Sequence, residues 1–243
     1  MWDNHNAQTL RDRLGVPHLD LHDEIGSTQD IAHDLAERGA EAGTIILADA
    51  QRVGRGRMGR GWTSEPGQGV WCTIVERPVD LKALDVLSLR VGLLLAEQLD
   101  AFANDRVRLK WPNDLVVSDG KVAGILVEAR WSGGVPAWVA IGIGVNVRAP
   151  AVAGAAGLRD EVRRVEVLAA VVGAAREAAR STGWLTDEEL GRYNARDLLQ
   201  GRWLVSPGIG IARGIAPSGS FLVETPQGIE QYRAGTIAFA EEL

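Results

Sequence analysis

The segment with the most chemical information is 51–62, QRVGRGRMGRGW, which holds four arginines and four glycines in twelve residues. Arginine presents a planar set of donors that matches phosphate and carboxylate oxygens, and glycine lets backbone N–H groups approach a ligand closely. The composition therefore predicts a loop that binds an anion. Gln51 ends a predicted strand and Trp62 offers an aromatic face for stacking, and such flanks would suit a nucleotide.

The glycines of this segment also satisfy G-x-G-x-x-G, the spacing of a dinucleotide-binding turn, at Gly54, Gly56 and Gly59. We reject that interpretation, because it requires a helix that opens at the third glycine and the following RGWTSEPG has no helical period. The sequence contains no G-x-x-x-x-G-K-[ST] either, so the P-loop ATPases are excluded. A solvated basic loop, or a segment that binds nucleic acid, remains an alternative for these residues considered alone.

Three further groups of polar residues and glycines follow along the chain. Residues 110–114, KWPND, place a cation, an aromatic ring, an amide and a carboxylate at a Pro-Asn-Asp turn. Residues 120–128, GKVAGILVE, predict a strand that starts with a cation and contains a glycine where a ligand could pass close. Residues 142–146, GIGVN, pair two glycines with an amide at a strand end. Each group alone is also compatible with an ordinary turn, strand or packed bulge.

The bulk composition limits the classes of protein to which the chain can belong. Its 243 residues, 46% of them hydrophobic, can bury a full core in one large domain or two unequal ones. The formal charge of −6 argues against a surface that binds nucleic acid throughout. The single cysteine, Cys72, excludes an internal disulfide and a cysteine-rich zinc site, and we interpret it as a buried small residue. Without a signal sequence or an apolar run of ~18 residues, we expect no membrane contact and a cytoplasmic location.

Hydrophobic periodicity predicts the elements that must position these motifs. Strands are predicted at 18–25, 44–48, 69–75, 107–111, 121–129 and 138–147, and helices at 28–38, 81–102, 160–180 and 186–199. The first helix should be capped by Ser27 or Thr28 and should end before Gly39. The order predicts an α+β fold with a mixed central sheet flanked by helices. Beyond Gly201, turns about every ten residues predict a small all-β domain.

In this order the four motifs, GRGRMGRGW, KWPND, GKVAGILVE and GIGVN, resemble those of the biotin protein ligases: GRGRxGRxW, KWPND, GKxAGIL(V)E and GIGxN. The similarity spans about residues 27–146, and the C-terminal segment is similar to the SH3-like barrel that ends the family. The resemblance implies a class II synthetase-like catalytic domain over 1–197 and an SH3-like β-barrel domain over 198–243.

The resemblance also implies an activity in two steps. The biotin carboxylate attacks the α-phosphate of ATP to form biotinyl-AMP and pyrophosphate, and a lysine of a biotin carboxyl carrier domain of an acyl-CoA carboxylase then takes the biotinyl group. ATP implies Mg²⁺, which usually binds through phosphate oxygens and water, so we assign no side chain as a metal ligand. We expect a monomer or a weak homodimer.

By motif position, Arg55, Arg57 and Lys121 supply positive charge between the two anionic reactants, and Asp114 orients or deprotonates the carrier lysine. The residues implied to bind biotin are Ser27, Thr28, Gln51, Gly54, Arg55, Arg57, Trp62, Lys121, Gly124, Leu126, Gly142 and Gly144. The residues implied to bind ATP are Arg57, Arg60, Trp62, Lys110 and Asn146. Because an arginine–glycine segment has little to bury, we expect it to be disordered or displaced without ligand and to become ordered when its anions bind.

Two features depart from the family pattern. Only about 17 residues precede the first catalytic strand, so we expect no N-terminal DNA-binding domain and no binding of DNA. The C-terminal AGTIAFAEEL lacks the arginine that often reaches ATP in the family, although Arg233 lies nearby. Two other functions remain alternatives: lipoate ligation or octanoyl transfer on a related fold, and a nucleic-acid-binding module that uses the arginine-rich loop.

Overall fold

The computed structural model describes residues 2–77 and 80–239. Six helices occur in these ranges: α1 Ala7–Leu14, α2 Thr28–Glu37, α3 Leu81–Asp85, α4 Leu87–Leu99, α5 Arg164–Arg180 and α6 Asp187–Asn194. The first seven strands are β1 Leu19–Ile25, β2 Thr44–Gln51, β3 Gly69–Glu76, β4 Arg108–Lys110, β5 Asp114–Val117, β6 Gly120–Ser132 and β7 Val135–Asn146. None of the described helices has both the length and the apolarity needed to cross a bilayer.

The seven strands form one sheet in the order β1-β2-β3-β7-β6-β5-β4. Strands β1 and β2 are parallel and all other neighbours are antiparallel, which confirms the predicted mixed sheet. Helix α2 packs on one face, against a small cluster that includes Ile46 and Val75, and α4 and α5 cover the other face. Because both faces are covered, β2 and β3 are almost continuously buried.

Several element boundaries differ from the predictions. The prediction of one continuous helix over 81–102 is wrong. The backbone departs from helical geometry at Val86 (φ −107°, ψ 4°), which separates α3 from α4, and α4 is followed by a 3₁₀ turn, Asp100–Phe102. Helix α5 begins at Arg164 rather than near 160, and α6 ends at Asn194 rather than near 199. Helix α1 was not predicted, since only Leu10 in it is buried and a single apolar contact leaves little periodicity to detect.

A second, antiparallel sheet contains the remaining strands, β8 Trp203–Ser206, β9 Gly210–Ile215, β10 Phe221–Thr225, β11 Gly228–Tyr232 and β12 Ala238–Phe239. Their order is β11-β10-β9-β8-β12. No pairing joins β11 to β12 in the described residues, so closure into an SH3-like barrel stays a prediction, as does the domain boundary at 197/198. Residues 240–243 lie outside the described residues. They belong to the predicted second domain and end the segment AGTIAFAEEL, 234–243, in which the arginine of the family pattern is missing.

The second sheet packs on the KWPND turn of the first. The ring of Phe221 stacks on that of Trp111 at a centroid distance of 5.1 Å, and the Trp111 indole N–H donates to the carbonyl of Gly219 at 3.1 Å. Gly235, Thr236 and Ile237 thereby reach the edge of the same cavity as the turn. The C-terminal segment therefore contributes one wall of the candidate site.

Candidate active site

All four motifs meet around one cavity of about 250 Å³. The N-terminus of α2 and the end of β2 form its bottom, β6 and β7 one side, and the turn between β4 and β5 the other. Residues 52–62, the arginine–glycine loop, cover it. Among the predicted site residues, the lining contains Ser27, Thr28, Gln51, Arg55, Arg57, Arg60, Trp62, Lys110, Asp114, Lys121, Gly124, Leu126, Gly142 and Gly144.

Four polar side chains, Thr28, Gln29, Gln51 and Thr73, form the cavity floor. Gln51 Oε1 accepts hydrogen bonds from the backbone N–H of Thr28 at 2.8 Å and from its hydroxyl at 3.1 Å. The Thr73 hydroxyl lies 2.8 Å from Thr28 Oγ1 and 3.1 Å from Gln29 Oε1. The Ser27 hydroxyl caps α2 by accepting a hydrogen bond from the backbone N–H of Gln29, which confirms Ser27 as one of the two predicted caps. Thr28, Gln29 and Thr73 are buried, Gln51 is half-buried, and their mutual hydrogen bonds fix the directions of all four groups.

Sequence reasoning did not identify Gln29 and Thr73. Both are buried, with exposures of 2% and 0%, and a signal was present for each. Thr73 is the one polar residue in the apolar run VWCTIV, and Gln29 follows the predicted cap by one or two positions. A polar residue in a buried strand requires a partner, so Thr73 could have been selected on that ground.

The loop closes on itself through its glycines. The carbonyl of Gly54 accepts from the Trp62 N–H at 2.9 Å, and the N–H of Gly56 donates to the Arg60 carbonyl at 2.8 Å. A Cβ at Gly54 would lie 2.3 Å from the Trp62 carbonyl oxygen. Gly54 does not line the cavity. A glycine is needed at this position because a side chain would prevent the close contact that closes the loop.

The side chains of Trp62 and Gln29 fill the space over the glycines of β6 and β7. A Cβ at Gly124 would lie 2.8 Å from the indole, one at Gly144 would lie 2.5 Å from it, and one at Gly142 would lie 2.5 Å from Gln29 Oε1. The sequence predicts these glycines to be places of close ligand approach. In the structure the side chains of Trp62 and Gln29 occupy the space next to these glycines, and both side chains line the cavity.

Positive charge dominates the cavity wall. Asp114 is the one carboxylate in the lining, and it pairs with Lys121, Nζ to Oδ1 2.6 Å. Arg57 is partly buried and donates to Asn113 Oδ1 at 3.2 Å; burial lowers the pKa of Arg57, and Asp114 opposes that shift. With Arg60 and Lys110 also in the lining, the cations outnumber the carboxylate. A cavity of this sign attracts phosphates and carboxylates.

Arg55 differs from the other cations. Its Nη1 donates to Asp30 Oδ1 at 2.6 Å and its Nη2 to Glu128 Oε1 at 2.6 Å, so two carboxylates compensate its charge. Asn146 does not line the cavity: it is buried and donates to the Lys121 carbonyl at 3.2 Å. Cys72 is buried as predicted, and burial raises its thiol pKa to about 12, which makes it a poor nucleophile.

The described residues contain no group of three or more His, Cys, Asp or Glu side chains that could hold a metal ion. The carboxylate in the cavity is already bonded to Lys121. The donors in the lining therefore suit an anionic ligand better than a bare cation.

Comparison with known proteins identifies the family. Residues 22–146 match the model of the biotin/lipoate A/B protein ligase family, and the chain belongs to this family. It is 38% identical over 139 residues to the bifunctional ligase/repressor BirA of Bacillus subtilis, a match covering 57% of this chain and 43% of that protein. It is 35% identical over 153 residues to the biotin–[acetyl-CoA-carboxylase] ligase of Mycobacterium tuberculosis, covering 58% and 56% of the two chains. The match thus spans about half the length of these relatives.

Solved structures agree on the fold. The biotin protein ligase of Aquifex aeolicus in complex with biotin and ATP superimposes with a TM-score of 0.74 at 28% identity, covering 92% of this chain and 100% of that one. A biotin acetyl coenzyme A carboxylase synthetase of Helicobacter pylori with bound biotinylated ATP superimposes with a TM-score of 0.64 at 22% identity, covering 88% and 98%. The predicted α+β class and the resemblance to biotin protein ligases are confirmed.

Proposed function

We propose that this chain is an ATP-dependent biotin–protein ligase, which forms biotinyl-AMP and transfers the biotinyl group to a lysine of a biotin carboxyl carrier domain. The observation that carries the proposal is the meeting of the four motifs around one cavity with a polar floor and a cationic wall. The names of its relatives and of similar structures support biotin as the acid and ATP as the activating nucleotide.

The first step joins two anions. We propose that Ser27, Thr28 and Gln51 bind the ureido ring of biotin, since a few directed polar groups in an otherwise apolar pocket give specificity. Arg57 and Lys121 then stand between the biotin carboxylate and the triphosphate. A carboxylate oxygen bonds to the α-phosphorus, and the bond to pyrophosphate breaks. Donors already fixed in a water-poor site stabilise this charge without reorganising, which is why their positions matter.

The second step needs a neutral amine. The carrier lysine attacks the acyl carbon of biotinyl-AMP, and AMP leaves. We propose that Asp114 accepts a hydrogen bond from this amine and receives its proton, while the Lys121 pairing keeps the carboxylate in place.

The remaining proposed roles follow from position in the cavity. Arg60 and Lys110 would contact phosphates, Trp62 would cover the bound biotin, and Leu126 would pack beside its rings. Asn146, which supports the Lys121 carbonyl, would act on ATP through that lysine. Mg²⁺ would enter bound to ATP through phosphate oxygens and water, and no protein step depends on a side-chain ligand for it.

The test is biotin-dependent exchange of labelled pyrophosphate into ATP, followed by mass spectrometry of a carrier domain. We expect exchange with biotin and a carrier mass increased by one biotinyl group. The same assay with lipoate separates the related acyl transfer, which would give exchange with lipoate alone. Binding of RNA or DNA that falls steeply with salt, without any exchange, would instead identify a nucleic-acid module and reject the proposal.

Isothermal titration supplies an independent measurement. Biotin titrated with and without a nonhydrolysable ATP analogue should bind in both cases. If biotin bound in neither titration, the proposal that the cavity floor binds the ureido ring of biotin would be contradicted.

A further inference from the structure

Glu128, in β6, connects the arginine–glycine loop to the interior of the domain. Its side chain is 29% exposed and its two oxygens bond in different directions. Oε1 accepts from Arg55 Nη2 at 2.6 Å, on the loop side. Oε2 accepts from Gln29 Nε2 at 3.1 Å and lies 3.1 Å from His33 Nε2, on the α2 side. One carboxylate therefore bonds both to the arginine–glycine loop and to helix α2.

The hydrogen bonds continue from Glu128 into the cavity floor. The Thr73 hydroxyl donates to Gln29 Oε1 at 3.1 Å and can accept from the Thr28 hydroxyl at 2.8 Å, while the backbone N–H of Thr28 donates to Gln51 Oε1 at 2.8 Å. Gln29 also donates to the carbonyl of Ala140 at 3.2 Å, so its amide is held in one orientation. A continuous path of bonded polar groups thus runs from the loop arginine to the groups proposed to bind biotin.

The α2 side of Glu128 is fixed by a further contact. The indole N–H of Trp138 donates to His33 Nδ1 at 3.0 Å. Because an indole nitrogen can only donate, Nδ1 accepts and the ring proton lies on Nε2, from which it is donated to Glu128. Two donors therefore hold Oε2, and Oε1 is left oriented toward the loop.

We propose that Glu128 is a positioning residue that couples closure of the arginine–glycine loop to occupation of the cavity floor. Arg55 is then the anchor through which the loop is held, and Arg57 is the arginine that serves the reactants. The ion pairs support this division, because Arg55 is neutralised by Glu128 and Asp30 while Arg57 faces Asn113 and the cavity. A ligand that binds the floor in this bonded arrangement also favours the orientation of Glu128 that holds the closed loop, and by reciprocity a closed loop strengthens binding at the floor. The inference rests on the proposed function.

The experiment compares Glu128→Gln with the matched control Asp30→Asn. Both remove one carboxylate from Arg55, but Asp30 is 62% exposed and does not bond to Gln29. The readout is the rate of tryptic cleavage after Arg57 and Arg60 with no biotin and with saturating biotin. We expect biotin to slow cleavage about tenfold or more in the parent and in Asp30→Asn, and less than about threefold in Glu128→Gln, because couplings of this kind are worth roughly 5–150-fold.

A second variant keeps the result decisive if Glu128→Gln does not fold. Arg55→Ala breaks the same link from the exposed side and should lose protection at the same two bonds. The double variant Arg55→Ala/Glu128→Gln should protect no less than the weaker of the two single variants, since both break the Arg55–Glu128 link. In pyrophosphate exchange, Glu128→Gln should raise KM for biotin about fivefold or more and change kcat less than threefold, consistent with lost coupling in binding.

The outcomes separate this inference from the proposed function. If the parent shows biotin-dependent exchange and Glu128→Gln keeps full protection, the coupling is rejected and the ligase function stands. Equal loss of protection in Asp30→Asn also rejects it, because general loosening of Arg55 would then be the cause. If the parent shows neither exchange nor protection with biotin, the ligase function and the coupling both fail.

Discussion

The cavity floor and the arginine–glycine loop above it differ in how firmly the chain holds them. The floor side chains Thr28, Gln29 and Thr73 are buried to 4% exposure or less and lie on a helix N-terminus and a central strand. The loop exposes most of its residues, including Met58 at 77%, and closes through backbone contacts at glycines. We infer that the firmly packed floor recognises the uncharged ureido ring of the ligand. The arginine–glycine loop, which is held less firmly, supplies the positive charge.

The difference has a physical reason. Hydrogen bonds discriminate between ligands when their donors and acceptors cannot reorient, and this requires burial and strong packing. Charge acts over a longer range, so the groups that carry it can lie on a less firmly held segment. A loop with few buried contacts opens at low cost, and closure then excludes water from a reactive intermediate.

The largest effect should come from the loop charge. Arg57→Ala removes a partly buried cation from the cavity wall and should lower kcat for biotin-dependent pyrophosphate exchange about 10²-fold or more, since a lost preorganised donor costs 10²–10³ in rate. Met58→Ala, the neighbouring exposed residue, is the control and should stay within about threefold. Full activity of a variant with both Arg55 and Arg57 changed to alanine would refute the assignment of charge to the loop.

A smaller effect is expected from the floor, and on a different parameter. Thr73→Val removes a buried hydroxyl and leaves Thr28 and Gln29 short of a partner, so biotin affinity should fall about tenfold for a cost of 1–3 kcal/mol. Ile74→Val, on the opposite face of β3, should cost similar stability without weakening biotin binding. Titration calorimetry and thermal unfolding measure both. Equal biotin affinity in the two variants would contradict the role of the floor.

The smallest effect should come from the contact between the two regions. Gly144→Ala would place a Cβ 2.5 Å from the Trp62 indole, which must move, so we expect KM for biotin to rise about threefold to tenfold and tryptic cleavage of the loop to accelerate. Gly173→Ala, in α5 with open space at its Cβ, should raise stability by roughly 0.5–1 kcal/mol and leave KM unchanged. An unchanged rate of tryptic cleavage in Gly144→Ala would show that the position of the Trp62 indole does not affect closure of the loop.

Sequence reasoning succeeded where the chemistry is local. Four arginines among four glycines predict an anion-binding loop in any fold, and the order of the motifs was enough to indicate the family. Strands β2, β3, β6 and β7 were predicted because each is a short, mostly apolar run, whereas the break at Val86 was missed because hydrophobic periodicity continues across it.

Tertiary structure decided which residue serves which purpose. Arg55 and Arg57 are two positions apart and chemically identical, and both line the cavity. Their partners separate them: Arg55 bonds to carboxylates from α2 and β6, and Arg57 to the amide of Asn113. Gln29 and Thr73 belong to the floor because a helix start and a distant strand bring them within 3.1 Å. Residue types and their local order determined the chemistry available to this protein, and long-range packing determined its arrangement, since direction and burial depend on neighbours far away in the chain.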